Sequence, residues 1–262
     1  MKKLGFIGLG NMGRAIASGL IAGGAIAPEN VYGYAPHWDK LSAYAQEAGI
    51  RACRSAAEVV ESVDTVLLAV KPYVIEGVLA EVKDALAGKA VISVALGYDY
   101  ARLRPLLPST ARIQFIMPNT PALVGAGVLL FEQTHSLEAG ERAELMEKFA
   151  SLGAVEELPS HLMGIGGAVS GCGPAFCAMV IEALADAGVK YGLPRPTAYR
   201  LASQMVAGTG KMQLETGQHP GAIKDGVCSP GGTTIRGVEA LERAGLRAAM
   251  LDAVQAVMEK KV

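Results

Sequence analysis

The segment GFIGLGNMG, Gly5 to Gly13, decides the fold of this chain. Its apolar first half is typical of a short buried strand, and its second half opens a helical pattern. Between them Gly8, Gly10 and Gly13 follow the spacing Gly-x-Gly-x-x-Gly. At the first strand-to-helix turn this spacing indicates a dinucleotide site, because the glycines allow a tight turn, close approach of a pyrophosphate and close packing of the helix on the strand.

Apolar runs later in the chain predict further strands, and each interval between them leaves room for a helix. The predicted strands are Val31–Tyr34, Thr65–Val70, Ala90–Ala95 and Ala111–Met117. Beyond Leu158 the pattern is helical only, with helices predicted at Gly173–Lys190, Pro194–Thr216, Pro220–Val227, Pro230–Arg243 and Leu246–Lys260. We therefore expect an α/β fold: a doubly wound, Rossmann-like parallel sheet in residues 1–160, followed by an all-helical domain in residues 161–262.

The composition excludes several classes of protein. With 51% hydrophobic and 19% charged residues, the 262-residue chain is expected to be globular. A net charge of −1 and 5% aromatic residues favour neither a nucleic acid nor a membrane surface as partner. The four cysteines and four histidines form no metal-binding spacing, so no metal is expected. Leu162–Ile181 is uncharged and of membrane length, but its glycines and Pro174 suit a loop that enters a buried helix better than a membrane span, which predicts a soluble cytoplasmic protein.

The first predicted tail helix carries a wide apolar stripe. Such a stripe needs more than one neighbour, and a second copy of the chain is a natural candidate. Its residues are Phe176, Met179, Val180, Ala183, Leu184 and Ala187, widened by Cys177 and Ile181.

The end of the second predicted strand bears on the choice of cofactor. An NAD site usually has an acidic residue there to hold the ribose 2′-hydroxyl, whereas this chain has Ala35. His37 and Lys40 follow it and would attract a 2′-phosphate. The sequence favours NADP(H), with NAD(H) as the second choice; the alternative is a surface loop with incidental charges.

Three other strand or helix ends carry candidate binding residues. AVKP, Ala69–Pro72, ends a strand and presents Lys71, although a solvated lysine in a strand-ending turn is an equal interpretation. MPNTP follows another strand, and its Asn119 would hydrogen-bond a carboxamide. SGCGPA, Ser170–Ala175, is expected to open the first tail helix with exposed backbone amides.

The tail segment GVCSPGGTTIRG predicts an anion site at a helix start. Pro230 is expected in the first helical turn, Gly231 and Gly232 leave amides unshielded, and Thr233 and Thr234 add hydroxyls. A carboxylate would suit that environment. The alternative is a plain helix cap and tight turn between two helices.

Together these motifs resemble the pyrroline-5-carboxylate reductase family. GFIGLGNMG, AVKP, MPNTP, SGCGPAF and SPGGTTI occur in this order between Gly5 and about Arg247. The resemblance implies reduction of the ring C=N bond of 1-pyrroline-5-carboxylate by NAD(P)H to give L-proline, the last step of proline synthesis. It also implies a homodimer, with a decamer as a further assembly, in which the tail of one subunit closes over the cofactor domain of its partner.

The resemblance and the motifs assign site residues. Those expected to bind the cofactor are Ile7, Gly8, Leu9, Gly10, Asn11, Met12, Gly13, Ala35, His37, Ala69, Val70, Lys71, Pro72, Val94, Ala95, Leu96 and Asn119. Those expected to bind the substrate are Ser229, Gly231, Gly232, Thr233 and Thr234, with Thr234 as the catalytic residue that hydrogen-bonds the ring nitrogen. Cys172, Ala35 and Ala56 replace polar residues of some relatives, and the last two bear on the cofactor preference.

Two rival functions are considered. A 3-hydroxyacid dehydrogenase of the hydroxyisobutyrate type starts with a similar glycine turn but uses a lysine on the first interdomain helix. Here Gly173–Val189 carries Glu182 and Asp186 and no lysine. The second rival, a non-catalytic NADP(H)-sensing module, would bind the cofactor without turning it over and would not need the Thr233–Thr234 pair.

Overall fold

The structure of the protein is a computed structural model, and it describes residues 1–259. The chain divides between Cys172 and Gly173 into two compact units. The first unit contains the sheet, and the second is helical throughout its described part. The domain boundary expected between residues 160 and 161 stays a prediction.

The first unit is built on an eight-stranded sheet of order β3-β2-β1-β4-β5-β6-β7-β8. All neighbouring strands are parallel except β6 and β7, which are antiparallel. The strands are β1 (Leu4–Ile7), β2 (Val31–Tyr34), β3 (Arg51–Ala52), β4 (Thr65–Leu68), β5 (Ala90–Ser93), β6 (Arg112–Pro118), β7 (Gly127–Glu132) and β8 (Gly153–Leu158).

Strand β1 lies at the point where the chain changes direction across the sheet. Leu4 aligns with Val31 of β2 on one side and with Thr65 of β4 on the other. The chain therefore winds outward first through β2 and β3 and then, from β4, the opposite way. In open α/β sheets ligands bind beyond the carboxyl ends of the strands at such a switch point. The expected Rossmann-like architecture is confirmed.

Helices cover both faces of the sheet, because its strands bury side chains on both sides. Along β1, Leu4 and Phe6 belong to one apolar core and Ile7 to the other. The first core includes Phe131 and Phe149, whose rings pack edge to face with their centroids 5.9 Å apart. The helices of this unit are α1 (Asn11–Ala22), α2 (Trp38–Ala48), α3 (Ala56–Ser62), α4 (Pro72–Val82), α5 (Tyr100–Leu103), α6 (Ala139–Phe149) and α7 (Met163–Gly167).

The structure adds strands that the sequence pattern does not predict. β7 pairs with β6 so that Met117 lies opposite Leu130, and it ends at Glu132, which is 1% exposed. The Glu132 carboxylate accepts a hydrogen bond from the backbone N–H of Tyr100 at 2.9 Å. β8 forms the edge of the sheet beyond β7, and its residues are half-buried or exposed.

The second unit consists of helices whose apolar residues are mostly uncovered within one chain. They are α8 (Gly173–Lys190), α9 (Arg195–Thr216), α10 (Pro220–Val227), α11 (Thr233–Arg243) and α12 (Leu246–Glu259). Lys260, where the last predicted helix ends, lies outside the described residues. On the predicted stripe of α8, Met179 is 69% exposed and Leu184 is 45% exposed. Phe176 and Val180 of the same stripe are half-buried, so the stripe is covered only in part within the described chain.

One helical stretch in the described chain is long and apolar enough to cross a membrane by length and composition. It runs from Ser160 to Lys190, and its most apolar 18 residues have a mean hydropathy of 1.6. Of these 18 residues, 11% are buried. The expectation of a loop that enters a buried helix is therefore wrong for the single chain, because the stretch is helical and few of its residues are buried.

The ion pair between β6 and α6 gives a first prediction. The Arg112 guanidinium donates two hydrogen bonds to the Glu141 carboxylate, at 2.8 and 3.0 Å, and these bonds hold the pKa of Glu141 below its ordinary value of 4.5. A depressed pKa stabilises the fold above the pKa of the unfolded chain, and this stability is lost as the pH falls through the folded value. Glu141→Gln should lower the free energy of unfolding at pH 7 by about 1–2 kcal/mol.

Urea unfolding of both proteins between pH 7 and pH 3 measures this effect. The difference between wild type and Glu141→Gln should shrink below about pH 4.5, as the carboxylate of the wild type takes up its proton. Glu147→Gln, at an exposed position of the same helix, is the control and should show no such trend. A difference that stays constant across this pH range would contradict the prediction.

Candidate functional site

Three loops start side by side at the carboxyl edge of the sheet. In each, the first backbone N–H after a strand donates to a carbonyl of the neighbouring strand. These bonds are Gly8 to Tyr34 (2.9 Å), Ala69 to Ile7 (2.9 Å) and Val94 to Leu68 (3.0 Å). The structure thereby brings together Ile7–Gly13, Ala35, Ala69–Pro72 and Val94–Leu96.

The three glycines of the first turn have three different structural roles. Gly8 has φ +100°, and a Cβ there would lie 2.7 Å from the Ala69 carbonyl oxygen. A Cβ on Gly13 would lie 2.3 Å from the Gly8 carbonyl oxygen. A Cβ on Gly10 would meet nothing within 4 Å in the described chain, so this face of the turn is open. Gly8 and Gly13 are needed for the fold, whereas Gly10 leaves room for a ligand.

The open turn leads into the start of α1. Gly10 is the N-cap residue, and no side chain of the described residues caps the helix. The first-turn amides of a helix lack intrahelical partners and lie at the positive end of its dipole, which suits an anion. Arg14 steadies the turn by donating from Nε to the Leu9 carbonyl at 2.9 Å. The residues present fit the pyrophosphate of a dinucleotide.

The loop after β5 is held by a polar cluster that no sequence motif indicates. The buried Tyr98 donates its hydroxyl to Glu76 Oε1 at 2.8 Å, and Arg102 donates to the Tyr98 oxygen at 3.1 Å. Burial and the bond to Glu76 raise the pKa of Tyr98, so the phenol keeps the proton that it donates. This cluster fixes the chain directly after Val94–Leu96.

Asn119 is engaged within the protein at both ends of its amide. Its Oδ1 accepts from the Val128 N–H at 2.9 Å, and its Nδ2 donates to the Ser170 carbonyl at 2.9 Å. The side chain is 6% exposed and ties the end of β6 to β7 and to the turn before α8. Its expected contact with a carboxamide stays a prediction.

α8 begins at Gly173, as expected for the first tail helix, but the expectation that SGCGPA opens it with exposed backbone amides is wrong. α7 and a single π-helical turn, Ala168–Cys172, come directly before α8, so the glycines lie inside a helical stretch. Within that stretch the Ser170 hydroxyl donates to the Gly166 carbonyl at 2.9 Å. Here apolar residues continue the helical pattern on both sides of the glycines and outweigh their helix-breaking tendency.

The tail motif forms a turn before its helix. The Gly232 N–H donates to the Ser229 carbonyl at 2.9 Å, and Gly231 has φ +71°. This is the geometry of a type II turn, with proline at its second position and glycine at its third. The expected place of Pro230 in the first helical turn is therefore wrong, because α11 begins at Thr233. The left-handed conformation of Gly231 cannot continue into a helix.

The start of α11 is open in the same way as the start of α1. Gly232 is its N-cap residue, with no side-chain cap from the described part of the chain, and Thr233 and Thr234 are exposed in the first turn. The first-turn amides and the two hydroxyls can hold a carboxylate or another small anion.

The described residues offer little for metal or thiol chemistry near these turns. Within residues 1–259, no three His, Cys, Asp or Glu side chains are close enough to hold a metal ion. Cys53, the thiol closest in sequence to the Ala35 edge, is buried, and burial raises its pKa to about 11. A thiol with this pKa is protonated at neutral pH and a poor nucleophile.

The strand order and the open glycine turn at the switch point define a dinucleotide-binding protein of the Rossmann type. The family described as pyrroline-5-carboxylate reductase dimerisation matches residues 160–262, and the family described as NADP oxidoreductase coenzyme F420-dependent matches residues 3–97. The chain belongs to the pyrroline-5-carboxylate reductase family, because relatives of that name match it over nearly its full length.

The similarity to these relatives extends over almost the whole chain. The pyrroline-5-carboxylate reductase of Escherichia coli is 44% identical, with 99% of this chain and 97% of the relative covered. That of Treponema pallidum is 43% identical, with 97% and 98% covered. Among solved structures, the Plasmodium falciparum pyrroline carboxylate reductase with NADP bound has a TM-score of 0.89 at 34% identity, covering 98% of this chain and 95% of that chain.

The different surroundings of Gly10 and Gly13 give a second prediction. Gly10→Ala should weaken dinucleotide binding by at least about tenfold while changing stability by less than about 1 kcal/mol, because its Cβ enters only the ligand's space. Gly13→Ala should lower the free energy of unfolding by about 1–3 kcal/mol, since its Cβ meets backbone. Calorimetric titration with NADPH and urea unfolding of both variants separate these outcomes. Equal stability losses in the two variants would contradict the assignment.

Proposed function

We propose that this protein reduces 1-pyrroline-5-carboxylate to L-proline with NAD(P)H, the last step of proline synthesis. One observation carries the proposal. The two turns that contain the motifs lead into α1 and α11, whose N-cap residues are Gly10 and Gly232, and no side chain of the described residues caps either helix. One such start suits the phosphates of a dinucleotide and the other a substrate carboxylate. Full-length relatives named pyrroline-5-carboxylate reductase support this assignment.

NADP(H) is the proposed cofactor, and when bound it supplies the hydride that the imine carbon receives. The chain offers Ile7–Gly13 for the pyrophosphate, Ala35 and His37 for the adenosine ribose, and Ala69–Pro72 with Val94–Leu96 for the nicotinamide side. Support comes from the absence of an acidic residue at position 35, from the match to an NADP oxidoreductase family, and from the relative described with NADP bound. NAD(H) is the second choice.

The substrate is proposed to bind at the turn Ser229–Thr234. The first-turn backbone amides of α11, at Thr233 and Thr234, hold its carboxylate, and the Thr234 hydroxyl hydrogen-bonds the ring nitrogen. If the substrate binds as its iminium, the nitrogen already carries its proton. The protein then needs to orient the ring and exclude water, and no His, Asp or Glu of the motifs is required as an acid.

The rival functions are less well supported. A dehydrogenase of the hydroxyisobutyrate type would need a lysine that Gly173–Val189 does not contain. A sensing module without turnover leaves unexplained the exposed Thr233 and Thr234 at an open helix start. The family assignment favours the reductase over both.

A homodimer is the proposed assembly. The apolar stripe of α8, with Met179 and Leu184 exposed, lies in the segment that matches a dimerisation family. A second copy would cover it, which also accounts for an apolar stretch at Ser160–Lys190 without a membrane. A decamer as a further assembly and a cytoplasmic location are part of the same proposal.

Thr234→Ala tests the substrate site and the reaction together. The oxidation of NADPH by purified protein is followed with 1-pyrroline-5-carboxylate, for wild type and variant. Loss of one hydrogen bond that strengthens during the reaction should lower kcat by about 10–100-fold. The affinity for NADPH should stay within about twofold, because the hydroxyl is not assigned to the cofactor.

Thr134→Ala is the matched control, because the Thr134 hydroxyl lies 2.9 Å from that of Ser160, outside every motif. It should turn over at the wild-type rate. Turnover by wild type that survives Thr234→Ala would remove Thr234 from catalysis and leave recognition to the amides. Binding of NADPH by wild type without any turnover would instead favour the sensing module.

Leu184→Asp tests the dimer. An aspartate in the middle of the apolar stripe of α8 would bury a charge in the interface, so the protein should elute as a monomer or a much weaker dimer. Light scattering during size-exclusion chromatography measures the mass. Gln46→Asp, which adds the same charge at an exposed position of α2, should leave the mass unchanged. A wild-type monomer, or an unchanged mass in Leu184→Asp, would contradict the proposed interface.

A further inference from the structure

Arg54 lies beside the position that distinguishes NAD from NADP sites. β2 and β3 are parallel neighbours, with Gly33 opposite Ala52 and the Cys53 N–H donating to the Gly33 carbonyl at 2.8 Å. Continuing this register past the strand ends brings Arg54 opposite Ala35, where an NAD site has its acidic residue. A cation therefore occupies the edge where the acid is missing.

The Arg54 guanidinium is stacked on the indole ring of Trp38, with Cζ 3.3 Å from the ring centroid. Stacking of this kind holds the planar group in place while its N–H donors point outward in the plane. In the part of the chain that the structure describes, no carboxylate lies within ion-pair distance of this guanidinium. A guanidinium that is stacked on a ring and has no carboxylate partner is suited to bind a phosphate by two hydrogen bonds.

The neighbouring charges favour an anion at this edge. His37 and Lys40 lie at the start of α2, together with Asp39. Glu58 is the other acid nearby, but its carboxylate accepts the Arg54 backbone N–H at 2.6 Å at the start of α3. Its charge is therefore directed to the backbone of that helix start, whereas the side chain of Arg54 lies on Trp38.

We propose that Arg54, held by Trp38, binds the 2′-phosphate of NADP(H) and sets the preference of this enzyme for NADP(H) over NAD(H). This inference rests on the proposed function, because it assigns the adenosine end of the same cofactor site. It gives Arg54 a role in recognition and none in the transfer of the hydride.

The test uses adenosine fragments, so its readout does not depend on turnover. Adenosine 2′,5′-bisphosphate and 5′-AMP differ only in the 2′-phosphate, and calorimetric titration of the full-length protein measures the Kd of each. Arg54→Gln should raise the Kd of the bisphosphate by about tenfold or more, whereas the Kd of 5′-AMP should change by less than about twofold. Arg54→Lys, which keeps the charge but not the planar fork, should fall between wild type and Arg54→Gln.

Arg51→Gln is the matched control. Arg51 also lies over an aromatic ring, 5.5 Å from the centroid of Tyr32, but at the amino end of β3 and so at the opposite edge of the sheet. It should leave both Kd values unchanged. Trp38 is the single tryptophan of the chain, so its fluorescence should change on binding of the bisphosphate and confirm the location.

The outcomes separate this inference from the proposed function. If wild type binds the bisphosphate and Arg54→Gln leaves its Kd unchanged, or raises the Kd of both fragments equally, Arg54 is not the 2′-phosphate residue while the reductase assignment stands. If wild type binds neither these fragments nor NADPH, the cofactor assignment itself is overturned, and the role of Arg54 with it.

Discussion

The close contact between α1 and the first strand is the constraint on which the rest of the structure depends. A Cβ on Gly13 would lie 2.3 Å from the Gly8 carbonyl oxygen, so only glycine lets the helix approach this near. That approach places the start of α1 over the switch point between β1 and β4. The apolar cores on both faces and the three adjoining loops are arranged around this point, and the first-turn amides of α1 lie at the carboxyl edge of the sheet.

The helix starts at Gly10 and Gly232 lack a side-chain cap among the described residues, which leaves helix stability unused. A serine or aspartate at either position would cap α1 or α11 and typically stabilise a helix by about 1 kcal/mol. The same side chain would occupy the amides that the phosphates and the carboxylate are proposed to use. By contrast, Ser55 caps α3 and accepts a hydrogen bond from the Glu58 N–H at 3.1 Å. Ser55 itself belongs to none of the proposed sites, although it follows Arg54 in sequence.

The tail buries much less apolar surface within one chain than the sheet does. In its described part the buried residues are the small Ala185, Ala198 and Ala202, whereas large side chains such as Met179 remain exposed. A helical unit that buries so little of its apolar surface cannot offset the entropy of ordering its chain. If the proposed dimer forms, stability and activity of this protein are linked to its concentration.

The sequence by itself determined the first strand-to-helix turn, the central strands, the tail helices and the family. Short apolar runs, helical periodicity and the spacing of glycines can all be read from neighbouring residues. It did not reveal β7 and β8, the π-helical turn, or the anchoring of Asn119. Nor did it reveal Arg54 on Trp38. Each of these depends on groups that come from separate segments of the chain. Tertiary packing alone decides which groups pair with a strand edge, a buried amide or a cation.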